Sequence, residues 1–319
     1  MLLVFPSKNQ TGGELNFSSL EIFFAVATEK NLTRAARHLA RVQSNVTMLV
    51  KQFEEELQAQ LFSRSGKRMS LTPSGGTMLD YAQRLPYLAE RARLATNPEQ
   101  QPGRLSIGAM ESTAAARLPA LLSKYHSKWP QVELEISIGT SRSLVEDVER
   151  GHLDCAFVAD SSFQGARDPR PEFAARGLSA TRAYREDLLL TLPPNHPTVS
   201  IPTDIRLKTL AAFSNGCAYR NVLEQWLGVT SFEADSDWKV MELVSYHAIL
   251  ACVAAGSCFA LCPRSILDLQ RVPMDICVQK IATIDTYLVA QSNYKSGAYE
   301  ELLQFLQASM YSRREGVDD

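Results

Sequence analysis

Apolar positions between residues 18 and 75 recur with the spacing of amphipathic helices. The first predicted helix carries its apolar stripe on Leu20, Phe23, Phe24 and Ala27. A short second helix is predicted over residues 34–39, with Thr33 capping its free N–H groups. A longer third helix is predicted over residues 43–58, with its apolar side chains on one face. The segment therefore predicts a small, all-helical core.

Alternating polar and apolar positions follow at residues 63–72, around a basic turn that contains glycine. This pattern predicts a small hairpin. Another helix is predicted to begin near Pro73, and its apolar residues recur at spacings of three and four, which favours packing against a partner helix. Pro86 conflicts with this helix, because an interior proline costs about 3 kcal/mol. Residues 97–103, rich in Pro, Gln and Gly, predict a linker.

Strand and helix patterns alternate from residue 104 onward, which predicts an α/β domain with parallel strands and right-handed crossovers. The predicted strands are 105–109, 132–138, 153–158, 187–192, 258–261 and 284–291. The predicted helices are 115–128, 143–149, 220–227, 241–255 and 298–311. Residues 243–263 carry no charge and are long enough to span a bilayer, but Gly256 and Ser257 interrupt them. A buried helix followed by a buried strand is the better interpretation.

Charge is distributed unevenly along the 319 residues, which are enough for two or three domains. Residues 1–95 hold 12 Lys and Arg against 8 Asp and Glu, a formal charge of +4, whereas the remainder carries −6. This asymmetry favours an N-terminal domain that faces nucleic acid. The six cysteines form no CxxC pair, which favours reduced thiols and a cytoplasmic protein. The apolar first five residues lack a basic leader, so no signal peptide is expected.

The third predicted helix begins with polar side chains that suit DNA bases. Gln43, Ser44, Asn45 and Thr47 lie there, and Gln or Asn can bond bidentately to adenine in the major groove. Nearby basic residues suit phosphates; they are Arg34, Arg37, Arg41, Arg64, Lys67 and Arg68. Two helices joined by a short turn, with these side chains, indicate a helix-turn-helix. The alternative is a three-helix bundle with an incidental basic face.

Several segments of the same region together resemble a known signature. They are Asn31-Leu32-Thr33-Arg34-Ala35-Ala36, Val42-Gln43-Ser44-Asn45-Val46-Thr47, Glu54-Glu55-Glu56-Leu57, Leu61-Phe62-Ser63-Arg64 and Leu71-Thr72-Pro73-Ser74-Gly75. They are similar to the N-terminal signature of LysR-type transcriptional regulators. Looser matches continue downstream, such as Gly151-His152-Leu153-Asp154. Val42 and Thr47 depart from the pattern, since both positions are usually Ser in the family.

The resemblance implies an α/β protein with an N-terminal all-α winged helix-turn-helix and a two-lobed effector domain like periplasmic binding proteins. The implied divisions are a tail (1–16), a DNA-binding domain (17–75), a dimerising linker helix and hinge (76–102) and an effector-binding domain (103–319). Within the last, one lobe would span about 103–182 and 284–313, and the other about 183–283.

The resemblance also implies a regulator that binds double-stranded promoter DNA under the control of a small molecule. It implies homo-oligomers (dimers and commonly tetramers) and contact with RNA polymerase. No cofactor, metal site or membrane association is expected. The DNA contacts that the resemblance implies are Thr33, Arg34, Gln43, Ser44, Thr47, Arg64, Arg68 and Thr72, and the residue pattern adds Asn45 and Lys67.

Hydroxyl groups that follow predicted strands point to an effector site. Ligands of α/β sheets bind at the carboxyl ends of strands, where helix N-termini favour anions. The expected effector contacts are Ser112, Thr113, Thr140, Ser141, Arg220, Ser245 and Tyr246. Each hydroxyl could instead be an ordinary helix cap, and Arg220 could bridge a carboxylate. An anionic effector is the resulting expectation.

Two other function classes compete with a regulator. An enzyme could draw on Cys217, His247, Ser112 and Asp160, but the sequence has no GxSxG, HExxH, P-loop or GxGxxG motif, so no catalytic residue is assigned. A solute-binding protein would use the same two-lobed cleft, and the helical N-terminal segment opposes it.

Overall fold

The computed structural model describes residues 16–65, 68–96, 104–159, 161, 168–229 and 238–314. The chain divides into two compact units, Met1–Arg93 and Leu94–Asp319.

The N-terminal unit consists of helices and one hairpin. Its elements are α1 (Phe17–Glu29), α2 (Leu32–His38), α3 (Gln43–Glu56), β1 (Phe62–Ser65), β2 (Arg68–Leu71) and α4 (Pro73–Thr96). The three predicted helices and the hairpin are thereby confirmed, although α2 begins two residues earlier than expected. Pro86 does not end α4, which continues as one helix on both sides of it.

Aromatic rings hold the hairpin and the helices together. Phe23 of α1 packs against Phe53 of α3 and Phe62 of β1, with ring centroids 6.1 and 5.2 Å apart. Val46 and Val50 of α3 are buried in the same core. The antiparallel strands pair Phe62 with Leu71 at the base of the hairpin. One face of α3 is thus committed to the core, which leaves its opposite face in solvent.

The C-terminal unit alternates strands and helices. Its elements are β3 (Arg104–Ala109), α5 (Glu111–Ala116), α6 (Leu118–Lys128), β4 (Glu133–Ile138), α7 (Ser141–Arg150), β5 (Cys155–Ala159), α8 (Arg170–Ala175), β6 (Leu178–Leu192), β7 (Thr209–Ala212), α9 (Ala218–Leu227), β8 (Lys239–Glu242), α10 (Tyr246–Ala254), β9 (Phe259–Pro263), α11 (Arg264–Leu267), β10 (Cys277–Gln291) and α12 (Gly297–Arg314).

These strands form one mixed sheet in the order β4-β3-β5-β10-β6-β9-β7-β8. The predicted parallel arrangement is confirmed for β4, β3 and β5, and again for β8, β7 and β9. It is wrong at the centre, where β6 and β10 are antiparallel to each other. The expected helix over residues 241–255 is also wrong at its start, because Met241 lies in β8. The expected helix over 115–128 is divided into α5 and α6.

Two long strands connect the halves of the sheet. The last part of β10 pairs with β5, while the last part of β6 pairs with β9. We call the half with β3, β4 and β5 the first lobe and the half with β7, β8 and β9 the second lobe. The expected lobe limits near 182 and 283 fall within β6 and β10, and these limits remain a prediction.

The apolar segment at residues 243–263 forms α10 and β9, both largely buried. Among the described residues, no helix is both long enough and apolar enough to cross a membrane.

Candidate nucleic-acid interface and ligand cleft

The helix-turn-helix is closed by a side-chain contact between its two helices. The Thr33 hydroxyl donates to Gln43 Oε1 over 2.9 Å. Thr33 is not the cap expected from the sequence, since the Asn31 side chain accepts from the Arg34 N–H over 3.1 Å. Asn31 precedes the helix with extended backbone, as an N-cap requires, whereas Thr33 already lies inside α2.

The first turn of α3 presents polar side chains to solvent. Gln43, Ser44 and Asn45 are exposed, while Val46 is fully buried and fixes the helix rotation. Thr47 is half-buried and its hydroxyl donates to the Gln43 carbonyl over 2.9 Å. Val42 is the N-cap residue of α3 and forms no side-chain cap, because a valine side chain has no hydrogen-bond acceptor. The polar side chains at this end of α3 are therefore accessible to solvent.

The basic residues around α3 differ in their surroundings. Arg34 is exposed and pairs with the Glu29 carboxylate over 3.2 Å, and its guanidinium also donates to the Glu29 carbonyl. Arg64 and Arg68 lie in the two strands of the hairpin, one residue out of direct register. Lys67 lies outside the described residues.

Thr72 joins the hairpin to α4. Its hydroxyl donates to the Gln60 carbonyl over 2.7 Å and accepts from the Gly75 N–H over 3.0 Å. Gly75 is required here, because a Cβ would lie 2.0 Å from the Leu61 carbonyl oxygen. Thr72 thus has a structural role, and its expected contact with DNA stays a prediction.

In the C-terminal unit, hydrogen bonds join helix starts from the two lobes, and we call the region between the lobes, where these contacts lie, the cleft. The Arg142 N–H, at the start of α7, donates to the Gly216 carbonyl in the second lobe over 3.2 Å. The Tyr219 hydroxyl, at the start of α9, shares hydrogen bonds with Ser112 and Thr286. The Tyr246 N–H, at the start of α10, donates to the Glu111 carboxylate. The fold therefore brings together most of the segments that the sequence singled out.

Several hydroxyls expected to contact an effector are instead helix caps or buried anchors. Thr140 caps α7 by accepting from the Ser143 N–H, and Ser245 caps α10 by accepting from the His247 N–H. Ser141 is buried and accepts from the Ala159 N–H over 3.2 Å. Ser112 and Thr113 are buried as well. The cap interpretation that the sequence left open holds for Thr140 and Ser245.

Arg220 is already paired with two carboxylates. Its guanidinium donates to Glu224 over 2.9 Å and to Glu242 over 2.7 Å, with a further bond to the Phe213 carbonyl. Its side chain is only 10% exposed. The expectation of a cation available to an anionic ligand is therefore corrected. The carboxylate bridge, which the sequence allowed as an alternative, is what the structure shows.

Glu111 is a cleft residue that the sequence analysis left out, although it precedes Ser112 and Thr113. Burial raises its pKa above the ordinary value, and the Tyr246 N–H and the charge of His247 act in the opposite direction. Its Oε2 atom is buried without a hydrogen-bond partner. An acidic residue directly after the first strand was the available signal, and attention to hydroxyls alone missed it.

Glu186 is a buried carboxylate whose two oxygens both accept hydrogen bonds. Glu186, with a side chain 7% exposed, accepts from Arg117 over 3.0 Å and from the Ser265 N–H over 3.0 Å. Like Arg220, Arg117 is therefore paired within the protein. The two residues are 69 positions apart in the chain, so their pairing could not be predicted from the sequence.

The enzyme alternative finds no support in the geometry. Burial raises the pKa of the Cys217 thiol, which opposes a reactive thiolate. Asp160 lies outside the described residues. Within the part of the chain that the structure describes, no group of three His, Cys, Asp or Glu side chains could hold a metal ion. The six cysteines are all free, and Cys155, Cys258 and Cys262 are buried.

Comparison with known proteins decides the family. Residues 17–76 match the family model described as bacterial regulatory helix-turn-helix protein, lysR family. Residues 98–310 match the LysR substrate binding domain, which is more than half of the chain. The chain belongs to the LysR family of transcriptional regulators. It is a DNA-binding transcriptional regulator with an effector-binding domain, and its family is not one of enzymes.

Two curated LysR relatives come from Bacillus subtilis (strain 168). The HTH-type transcriptional regulator GltR is 32% identical over 254 residues, which covers 79% of this chain and 81% of GltR. The uncharacterized HTH-type transcriptional regulator YusT is 35% identical over 253 residues, covering 78% and 79%.

Solved LysR-type structures share the fold. CbnR complexed with its target DNA has a TM-score of 0.65 at 21% identity and covers 92% of this chain and 100% of its own. A full-length OxyR variant from Pseudomonas aeruginosa has a TM-score of 0.61 at 22% identity, covering 93% and 95%. The expected fold, a winged helix-turn-helix followed by a two-lobed α/β domain, is confirmed.

Proposed function

We propose that this LysR regulator places the start of α3 in the major groove of double-stranded promoter DNA. The observation that carries the proposal is the contact between Thr33 and Gln43. The Thr33 hydroxyl engages Gln43 Oε1, and this contact uses neither donor of the Nε2 amide group in an exposed side chain. We infer that these donors are offered to a base edge. Gln43, Ser44, Asn45 and Thr47 then face the bases.

Phosphate contacts come from the elements that flank α3. The family resemblance supports Arg34, Arg64, Arg68 and the hydroxyls of Thr33 and Thr72 as the proposed set, and the basic sequence pattern adds Lys67. These contacts would add affinity on any sequence, because phosphates carry no base information.

We further propose that a small effector binds in the cleft between the two lobes. The segments that start α5, α7, α9 and α10 converge there from both lobes. Ser112, Thr113 and Tyr246 remain the proposed contacts among the predicted residues, with Thr140, Ser141 and Ser245 contributing through the helix starts that they hold. A molecule that contacts both lobes shifts the equilibrium between two relative arrangements of the lobes only if it binds one arrangement more tightly than the other.

The anionic character of the effector is a separate proposal. The N–H groups at the helix starts support it. The pairing of Arg117 and Arg220 with carboxylates opposes it, because neither charge is left for a ligand. Carboxylates and neutral compounds are therefore the two classes to compare first.

Family membership supports a proposal on assembly and location. We propose a homo-oligomer, a dimer or tetramer paired in part along α4, that acts in the cytoplasm and contacts RNA polymerase.

A selection experiment tests the DNA proposal. The full-length protein is incubated with a random duplex library, and bound DNA is recovered and sequenced over several rounds. We expect enrichment of one motif by the wild type and a relaxed motif with Gln43→Ala, while Ser123→Ala, at an exposed position of α6 in the C-terminal unit, leaves the motif unchanged. Failure of the wild type to enrich any sequence would overturn the proposal.

A further inference from the structure

The solvent face of α3 carries one large apolar side chain. Met48 is 60% exposed, whereas the other exposed positions along this helix are polar or charged. Ser44 lies four residues before Met48 and Lys51 three residues after it, so these three side chains share a face. Lys51 is itself paired with Glu55 over 3.3 Å.

The rotation of α3 is fixed by its buried side. Val46, Val50 and Phe53 are each no more than 3% exposed and belong to the core of the N-terminal unit. In a helix with 3.6 residues per turn, Met48 then points away from that core. Met48 cannot turn inward without displacing these residues, so it stays on the face that Ser44 begins.

The major groove contains one apolar group that suits such a side chain. Thymine presents its C5-methyl group there, while the other base edges present hydrogen-bond donors and acceptors. The methionine side chain is unbranched and adapts readily to an apolar partner. Its thioether is only a weak acceptor, so hydrogen-bond readout by this position is excluded.

We propose that Met48 contacts the C5-methyl group of a thymine and thereby sets the preferred base at one position of the binding site. The inference rests on the proposed placement of α3 in the major groove. It assigns a specificity role to a residue outside the polar set of Gln43, Ser44, Asn45 and Thr47.

Uracil substitution removes only the group in question. In the motif enriched by the wild type, each thymine is replaced in turn by deoxyuridine, which lacks the methyl group and keeps every hydrogen-bonding atom. Binding of the full-length protein is measured by fluorescence anisotropy. We expect about a fourfold loss of affinity at one thymine, the value for one buried methyl group.

Variants connect that thymine to Met48. Met48→Ala should lose about the same factor on the thymine site and respond no further to deoxyuridine at that position. Met48→Leu should keep the response, because it retains an apolar side chain. Lys51→Ala, the matched control on the same face, should bind all sequences more weakly and keep the full response to deoxyuridine. Since Met48 is exposed, unchanged thermal unfolding of its variants is expected.

Two outcomes would overturn the inference while the proposed function stands. One is an enriched motif in which no thymine responds to deoxyuridine. The other is a Met48→Ala variant that loses as much affinity on deoxyuridine substitution as the wild type does. This outcome counts against the inference even if the variant binds less tightly because its copies associate more weakly. Failure of the wild type to enrich any motif would overturn the inference together with the proposed function.

Discussion

The Arg142 N–H donates to the Gly216 carbonyl over 3.2 Å, which joins the first lobe to the second across the cleft. Gly216 has a φ of +97°, and a Cβ at this position would lie 3.0 Å from Thr140 Oγ1 and 3.1 Å from Arg142 Cβ. The close approach of the lobes therefore depends on a residue without a side chain.

Gly216→Ala should lower the free energy of unfolding of the C-terminal unit by more than backbone strain alone would. Gly256 is the matched control, since it has a φ of +82° and a Cβ added there would meet nothing within 4 Å. We expect Gly256→Ala to cost about 1–2 kcal/mol in the free energy of unfolding. Gly216→Ala should cost about 1 kcal/mol more because of the added contact. If urea unfolding gives the same loss of free energy for both variants, a Cβ at position 216 does not crowd Thr140 and Arg142.

Glu111→Gln should stabilise the protein increasingly as the pH rises. Because burial raises the pKa of Glu111, folding favours its protonated form, and stability is lost as the pH rises from the ordinary value of 4.5 through the raised one. The glutamine variant carries no charge at this position and therefore has no such loss.

The check is the unfolding temperature from about pH 4 to about pH 8. The difference in unfolding temperature between Glu111→Gln and wild type should grow toward the alkaline end. A difference in unfolding temperature that becomes smaller as the pH rises would contradict the raised pKa of Glu111.

Gln43 and Thr33 should act together in base recognition. Gln43→Ala should cost about 1–3 kcal/mol on the enriched motif and relax one base position. Thr33→Val removes the donor that holds Gln43, and we expect a smaller loss of about 0.5–1.5 kcal/mol at the same position. Thr33→Ser keeps the hydroxyl and should bind normally. Anisotropy titrations with single-base variants measure this, and equal losses on every sequence would argue against direct readout.

The caps of α2 and α3 should respond in opposite directions. Asn31→Ala removes the acceptor of the Arg34 N–H and should destabilise the N-terminal unit by about 1 kcal/mol. Val42→Ser supplies an acceptor where the structure has none and should stabilise it by a similar amount. Calorimetric unfolding provides the measurement. A Val42→Ser variant less stable than wild type would mean that the exposed valine has a packing role.

Arg220 should act on stability through its carboxylate partners. Arg220→Ala leaves Glu224, in the same helix, and Glu242 without their cation, and we expect a loss of about 1–3 kcal/mol. Adding Glu224→Gln should recover part of that loss, because it removes one uncompensated charge. If the double variant is no more stable than Arg220→Ala, the charge pairing is not the source of the effect.

Much of the N-terminal unit was predictable, because its signals are local. The apolar positions of α1 and α3 face one side at helical spacing, and the hairpin follows from alternation around a basic turn. The error at the start of α2 was also local. Asn31 and Thr33 can both cap, and only the backbone conformation selects Asn31.

The central strands show where local pattern fails. β6 extends over Leu178–Leu192, yet the sequence predicted a strand only over 187–192, because the preceding residues are mostly polar. That part is a strand because it pairs with β10 along nearly its whole length. A ladder between segments about a hundred residues apart leaves no signal in either one alone.

By itself, the sequence determined the family, the helix-turn-helix and the exposed polar start of α3, since each depends on residues close together in the chain. Only the tertiary structure decided the state of the charges in the cleft. Arg117 meets Glu186 and Arg220 meets Glu242 across 69 and 22 residues, whereas Glu111 keeps one carboxylate oxygen without a partner. The physical reason is that a buried charge is set by the groups that the fold brings within hydrogen-bond distance, and these lie far away along the chain.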